Sequence, residues 1–364
     1  MSTSSSTLSS GSEKPPRKRS RKDSECSSRS QPDSRGSFSR DKQFWYDDGN
    51  IIVVAQDVGF RVYKGMLSRP SEVFRDMFSL AQPAPNQSRE QTPEDCPIVH
   101  VTDTADEMRS LLMILLEGRQ YMQRLDFEFD DMANCIRLAH KYRIEDLLED
   151  SLKALKQYCP DDFDAWDTRA ESSEPEHAIV AVNLMRLTGE VSLLPAAIYA
   201  CSQLDARQLL DGYKRKDGVV DALSREDLEL CIDGKAKLCI RTVPFIRNLF
   251  RSMENADCVV SGNLCQESIT SLRFTGSAAA VSRGYDLLDS AKEDIWRYDR
   301  TKRPLAELVS PLCPSCITAL CVRDKMQRRE LVRTTGIARC WLGPGGTGGK
   351  WGHRGKLMLT SVVQ

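Results

Sequence analysis

Residues 44–78 read FWYDDGNIIVVAQDVGFRVYKGMLSRPSEVFRDMF and combine two short apolar runs with two short helical patterns. The run 51–55 is apolar and mostly β-branched, which favours a half-buried strand. A turn at 56–59 follows, in which Gly59 is the residue best able to take a positive φ, and residues 60–63 then alternate as a second strand. From Lys64 the apolar residues recur at helical spacing, and Ser71 predicts an N-cap. The stretch therefore predicts a β-hairpin followed by two helices.

The segments downstream extend this order of elements. Residues 81–97 are rich in proline and polar side chains and predict a surface loop, and residues 98–101 predict a short strand. Thr104 and Glu107 form a capping-box pattern ahead of an apolar helix. Two more helical patterns follow, one through Met132 to Ala139 and one from Ile144 to Leu155. The predicted order is thus hairpin, helix pair, strand and three helices.

These residues resemble the BTB/POZ family, and most closely a large fungal group within it. That group opens with a phrase like FW-x-x-DGN and continues with F-x-V-x-K-G-x-L-S-x-x-S-x-V-F-x-D-M-F. The later phrase LAHKY at 138–142 also fits the family. The positions that match the opening phrases are Phe44, Trp45, Asp48, Gly49, Asn50, Phe60, Val62, Lys64, Gly65, Leu67, Ser68, Ser71, Val73, Phe74, Asp76, Met77 and Phe78. The resemblance implies an α+β domain over 44–159, with short strands and a helical bundle, that homodimerises and acts as an adaptor without catalytic residues.

The resemblance also suggests two sites. The expected dimer interface is an apolar patch from the first strand and first helices, made of Phe44, Trp45, Ile51, Val53, Met66 and Leu67. The expected partner groove contains Asn50 and Lys64. In family members a basic residue at the position of Lys64 usually follows a histidine, and in BTB repressors it faces an acidic residue in a charged dimer groove. Here Tyr63 replaces the histidine and Asn50 replaces the acidic residue, so half of the charged pair is present.

The length and charge distribution predict further regions around this domain. A chain of 364 residues allows two or three domains. Residues 1–43 contain 10 Lys or Arg and 5 Asp or Glu, so this Ser-rich tail carries +5 whereas the whole chain carries −1. With few apolar side chains to bury, the tail is expected to be disordered. Its basic run is either a nuclear-import signal or a solvated tail; the run consists of Arg17, Lys18, Arg19, Arg21 and Lys22.

The second half predicts a mostly α-helical region. Residues 160–176 are acidic and polar and predict a linker. Helical patterns then recur through 177–333, with a short helix after Ser224 and another helix broken near Pro244. Residues 334–364 show no periodic pattern and predict a disordered tail or a segment from an altered reading frame.

Four of the thirteen cysteines form a candidate metal site. Cys313 and Cys316 have the spacing with which two thiolates hold one tetrahedral zinc, and Cys258 and Cys265 could supply the other pair. The alternative is that all four are buried free thiols in a helical core. A redox dithiol at 313–316 is a third interpretation, but no βαβ pattern precedes it.

Together these patterns predict a non-enzymatic interaction protein. It would pair with itself and recruit a cullin scaffold, as a ubiquitin-ligase substrate adaptor, or a chromatin complex, as a nuclear regulator of transcription. An alternative of another class is a zinc-dependent nucleic-acid-binding regulator that uses the four cysteines. No nucleophile–base arrangement and no membrane-length apolar run is visible in the sequence, and nucleus or cytoplasm is the expected location.

Overall fold

The computed structural model describes residues 38–80, 96–118, 128–169, 174–260, 263–283 and 312–335. Within these ranges the chain forms a small mixed sheet followed by a mainly helical region, so the predicted α+β class is confirmed. Among the described helices, none combines the length and the apolar character that crossing a bilayer requires.

The sheet has four strands in the order β1-β3-β2-β4. Its strands are β1 (Ser39–Trp45), β2 (Ile51–Ala55), β3 (Val58–Val62) and β4 (Ile98–Val101). The predicted hairpin is the antiparallel pair β2–β3, whereas β1 joins β3 and β4 joins β2 in parallel. All five residues of β2 are buried, as a continuous apolar run in a central strand requires.

The hairpin turn differs from the prediction in its length and in the residue that takes a positive φ. Ala55 pairs with Val58, so the loop has two residues, and Gln56 takes the positive φ of 52°. Gly59 instead lies in β3 and pairs with Val54. A Cβ on Gly59 would fall 2.3 Å from the Phe38 ring, so the glycine is needed for the close approach of that ring.

Five helices complete the first part of the chain, and the caps predicted at Ser71 and Thr104 lie here. They are α1 (Lys64–Ser68), α2 (Glu72–Ser79), α3 (Ala105–Glu117), α4 (Phe129–Tyr142) and α5 (Glu145–Tyr158). The Ser71 hydroxyl accepts a hydrogen bond from the backbone N–H of Phe74, and Thr104 with Glu107 forms the complete capping box. Local capping chemistry therefore fixes where α2 and α3 begin.

The rest of the described chain is helical apart from one short hairpin. Its elements are α6 (Phe163–Thr168), α7 (His177–Thr188), α8 (Leu194–Gln203), α9 (Ala206–Asp211), β5 (Tyr213–Lys214), β6 (Val220–Asp221), α10 (Arg225–Leu249), α11 (Leu264–Arg283) and α12 (Pro314–Thr335). The hairpin β5–β6 was not predicted, because its strands have two residues each and show no alternation.

Three sequence-based boundaries are corrected by the structure. Residues 39–43 belong to β1 rather than to a disordered tail, since their backbone lies beside β3 despite polar side chains. The predicted linker contains α6, whose Trp166 is 5 % exposed and packs on Tyr199. The helix expected to break near Pro244 is continuous. The carbonyl that this proline leaves unpaired belongs to the exposed Ile240, where water can reach it.

The buried side chains form three clusters, and α4 contributes to two of them. One face of α4 packs with the sheet and α1–α3 through Cys135, Leu138, Ala139 and Tyr142. A second face packs with α5–α8 through Phe129, Met132, Ala133 and Ile136. Each set follows helical i, i+3, i+4, i+7 spacing, so α4 is a buried helix with two apolar stripes. A third cluster joins α10, α11 and α12.

Candidate functional site

The structure corrects the predicted dimer interface. Four of its six residues lie in the core of their own chain, with exposures of 2 % or less; they are Phe44, Ile51, Val53 and Leu67. A side chain that is already buried has no further surface to bury against a partner. The remaining two, Trp45 and Met66, are half-buried and stay candidates for a contact surface.

A different surface lies along β1, which is an edge strand of the sheet. Among the described strands only β3 pairs with it. Phe38 and Trp45 are half-buried with ring centroids 6.4 Å apart, and the Arg40 guanidinium lies 4.7 Å from the Trp45 ring centroid. An edge strand with aromatic side chains offers both backbone hydrogen-bonding groups and apolar area to another chain.

Asp41 anchors this edge strand to α3. Its side chain is 4 % exposed, and it accepts hydrogen bonds from the backbone N–H groups of Gln43 and Phe44, each 2.9 Å. Arg109 on α3 donates to the same carboxylate at 2.9 and 3.2 Å. Burial by itself raises the pKa of Asp41, but these hydrogen bonds outweigh it and lower the pKa. The side chain sits where the β1–β3 register shifts, between Arg40 and Trp45.

The two predicted groove residues are brought together, but their polar groups are used within the chain. The Asn50 side-chain oxygen accepts the backbone N–H of Lys64 at 2.7 Å. The Lys64 ammonium donates to the carbonyl of Phe78, 3.2 Å away in the last turn of α2. A cation at a helix C-terminus is electrostatically favourable. Both side chains are exposed, so they could still line a partner surface.

Tyr63, which stands where the family has histidine, belongs to a small aromatic–acidic cluster beside the groove. Its hydroxyl donates to Asp48 at 2.6 Å, and its ring stacks on Tyr46 with centroids 5.4 Å apart. The hydrogen bond to Asp48 is the main reason that the pKa of Tyr63 is raised. This surface therefore offers a hydroxyl, a carboxylate and two aromatic rings at the position where the family has histidine.

The hairpin β5–β6 forms ion pairs with residues of both α3 and α4. Arg215, between the two strands, pairs with Glu107 on α3 at 2.7 Å and with Asp221 at 3.3 Å. Arg137 on α4 pairs with the same Asp221 at 2.7 Å. These side chains are between 11 and 15 % exposed, so the network is a largely buried seam. We conclude that the chain itself contacts this part of the α3–α4 face.

The four predicted metal-ligating cysteines converge at the third cluster. Their sulfur atoms all lie within 4.8 Å of one another, and the Sγ atoms of Cys258 and Cys313 are 3.8 Å apart. Cys258 precedes α11, Cys265 is the second residue of α11, Cys313 precedes α12 and Cys316 is the third residue of α12. None of the four forms a disulfide, and three are buried.

Several N–H groups point at these sulfur atoms. The backbone N–H of Cys313 donates to Cys265 Sγ at 3.5 Å, and Asn255 Nδ2 donates to Cys316 Sγ at 3.4 Å. Hydrogen bonds from the backbone N–H groups of Cys316 and Val259 lower the pKa of Cys313 to about 6. Burial raises the pKa of Cys316 to about 12. The arrangement therefore stabilises thiolate at one end of the CxxC pair.

Sequence reasoning missed Asp41 and Arg215. The residues of the predicted nuclear-import run cannot be compared with the structure. Arg17, Lys18, Arg19, Arg21 and Lys22 lie outside the described residues. No local signal marks Asp41 or Arg215, since each makes its main ion pair with a residue more than 60 positions away in the chain. Only the fold brings such partners together.

Comparison with protein families finds a match to the BTB/POZ domain over residues 41–158. The matched range holds β2 to β4, β1 from Asp41 onward and α1 to α5, and it ends before the cysteine cluster. Comparisons with curated proteins and with solved structures give no significant match.

Proposed function

Because residues 41–158 of this chain form a BTB/POZ domain, we propose that the protein is a non-enzymatic adaptor. In this proposal the domain homodimerises and recruits a partner protein, and the helical region carries a second binding surface. BTB/POZ domains are protein-interaction modules that commonly self-associate and bind partners such as cullins. The membership of the domain in the fungal group stays a prediction from its opening phrases.

The exposed edge of β1 is the observation that carries the dimer proposal. A C2 dimer requires a surface that pairs with a copy of itself, and two antiparallel edge strands meet this condition. The backbone groups of the strand would supply hydrogen bonds, and Trp45 with Met66 would supply apolar area. Both side chains are half-buried in one chain, so each has area left to bury against a second copy.

The dimer is tested with the full-length chain by light scattering coupled to size-exclusion chromatography. We expect a mass near twice the 41.0 kDa of one chain. Trp45→Asp and Met66→Asp should each give a monomer, since either variant places a charge in a buried contact. The matched control is Leu210→Asp on α9, which changes a side chain that is 69 % exposed in the helical region and should remain dimeric.

A monomer for the unmutated chain at micromolar concentration would refute the dimer proposal. So would two folded aspartate variants that keep the dimer mass, with far-UV circular dichroism to confirm folding. If both variants remain dimeric, the dimer interface does not include β1 and α1 and must lie on another surface.

The recruited partner is identified by affinity purification of the full-length chain from its own cells, followed by mass spectrometry. A cullin with one enriched client protein would support a ubiquitin-ligase substrate adaptor. Chromatin proteins without a cullin would support a nuclear regulator. The regulator further requires nuclear localisation that is lost when Arg17, Lys18, Arg19, Arg21 and Lys22 are replaced by glutamine. An unchanged location would remove that role for the basic run.

A further inference from the structure

We propose that Cys258, Cys265, Cys313 and Cys316 bind one structural Zn²⁺ ion that fastens the start of α12 to the start of α11. The site lies outside the BTB/POZ domain, and its function does not depend on dimerisation or on the recruited partner. Two separate stretches of chain, 258–265 and 313–316, each bring two sulfur atoms to it.

The spacing of the sulfur atoms fits a tetrahedral zinc site. A Zn–S bond of about 2.3 Å places the sulfur atoms of a tetrahedron about 3.8 Å apart. One pair already has this separation, and the largest separation among the four is within 4.8 Å. Closing the remaining pairs needs shifts of about 1 Å or less, which side-chain rotations can supply.

The number of converging thiols argues against the two other interpretations. A redox site or a disulfide needs two sulfur atoms, held about 2.05 Å apart when oxidised, whereas four converge here. Ordinary buried cysteines need no polar partners. Here Cys265 and Cys316 accept N–H hydrogen bonds from Cys313 and Asn255, as the outer shell of a thiolate site does.

The charge of the site is also accommodated. Four thiolates with one Zn²⁺ leave two negative charges, which need positive potential nearby. The N-termini of α11 and α12, helices of 20 and 22 residues, lie at the cluster and supply it together with the N–H donors. Cys265 lies in the first turn of one helix and Cys316 in the first turn of the other.

The zinc would secure a helix that reaches back towards the BTB/POZ domain. Further along α12, Arg328 pairs with Asp167 at 2.5 Å and with Asp324 at 2.8 Å, and it is 3 % exposed. Asp167 lies on α6, just after the BTB/POZ match ends. The ion therefore fixes one end of α12 while the salt bridges fix the middle of the helix.

The first test measures the metal content of the full-length chain purified with a reducing agent and without a chelator. We expect about one equivalent of zinc per chain. Cys313→Ser with Cys316→Ser should reduce the content to about one tenth of an equivalent or less. The matched control is Cys239→Ser, which changes an exposed free cysteine on α10 and should keep the full equivalent.

The second test avoids variants that fail to fold. Zinc is removed from the unmutated chain with a chelator under reducing conditions, and Co²⁺ is added. We expect the visible bands of tetrahedral cobalt and strong thiolate-to-cobalt charge transfer, both abolished by added Zn²⁺. Hydrogen exchange in peptides from 313–335 should rise on zinc removal and return when Zn²⁺ is restored, while peptides of β2 stay unchanged.

Three results would overturn the proposal. The first is zinc far below one equivalent together with no tetrahedral cobalt spectrum. The second is a disulfide between Cys313 and Cys316 in the protein as isolated, found by mass spectrometry. The third is bound zinc that survives replacement of both residues, which would place the ion elsewhere.

Discussion

Replacing Asp41 tests whether one carboxylate holds the edge strand β1 in place. Asp41→Asn keeps the shape and one oxygen for the backbone N–H groups of Gln43 and Phe44, but it removes the charge that Arg109 contacts. Asp41→Ala removes every one of these contacts. Comparing the two variants therefore separates the contribution of the ion pair with Arg109 from the contribution of the hydrogen bonds that Asp41 accepts from Gln43 and Phe44.

The expected losses follow from the exposure of each group. A charge-assisted hydrogen bond contributes about 1.5–3 kcal/mol. Arg109 is 36 % exposed and also pairs with Asp106, so its guanidinium can be solvated when the charge of Asp41 is removed. Asp41→Asn should therefore lower the free energy of unfolding by about 1 kcal/mol. Asp41→Ala also leaves the buried N–H of Phe44 unsatisfied, which adds about 1–3 kcal/mol and gives a total of about 2–4 kcal/mol.

The assay is denaturant unfolding of the full-length chain, with hydrogen exchange of peptides covering 39–46 to localise the effect. The control is Asp106→Asn, which removes the other partner of Arg109 from an exposed position and should cost less than about 0.5 kcal/mol. The reasoning is refuted if Asp41→Ala unfolds like the unmutated chain, or if Asp106→Asn costs as much as Asp41→Asn.

The pH dependence gives an independent check on the same side chain. The pKa of Asp41 is lower in the folded chain, so its stabilising effect is fully present above the pKa of the unfolded state, about 3.9. That effect is lost as the pH falls through this value towards the lower pKa of the folded state. The difference in unfolding free energy between the unmutated chain and Asp41→Asn should therefore be constant near neutrality and shrink below about pH 4.

Two further substitutions test packing elsewhere, each with its own control. Arg328→Met removes the cation that Asp167 and Asp324 share and should lower the free energy of unfolding by about 3 kcal/mol in a denaturant titration. The control Arg329→Met changes an exposed side chain and should have little effect. Equal effects of the two variants would contradict a stabilising role for the buried Arg328. Gly59→Ala should lower the free energy of unfolding by about 1 kcal/mol, because the added Cβ displaces the Phe38 ring. The control Gly65→Ala adds a Cβ in open space on α1 and should be neutral or stabilising. A shift in melting temperature of the same sign for both variants would contradict the close approach of the Phe38 ring to Gly59.

Sequence reasoning was most successful where the physics is local. The caps at Ser71 and Thr104 depend on residues within four positions, and both form as predicted. The central strand β2 is a run of apolar residues and needs no distant information. The four cysteines were grouped from ligand spacing and composition, and the structure brings their sulfur atoms together.

Sequence reasoning was least successful where distant contacts decide the structure. β1 is polar from Ser39 to Gln43 and gives no strand signal, because its place depends on pairing with β3 and on the ion pair of Asp41. The predicted dimer residues were taken from the apolar character of the segments that the family resemblance suggested. Apolar character marks core and interface alike, and only the fold shows that Phe44 and Leu67 are in the core.

The two apolar stripes of α4 have a consequence for how the chain unfolds. Because α4 packs in both the sheet core and the core of α5–α8, unfolding of this one helix exposes an apolar stripe in each core at the same time. Both regions should therefore melt in a single calorimetric transition. A protein that binds only the BTB/POZ surface should raise the melting temperature of the helical region as well, by thermodynamic linkage.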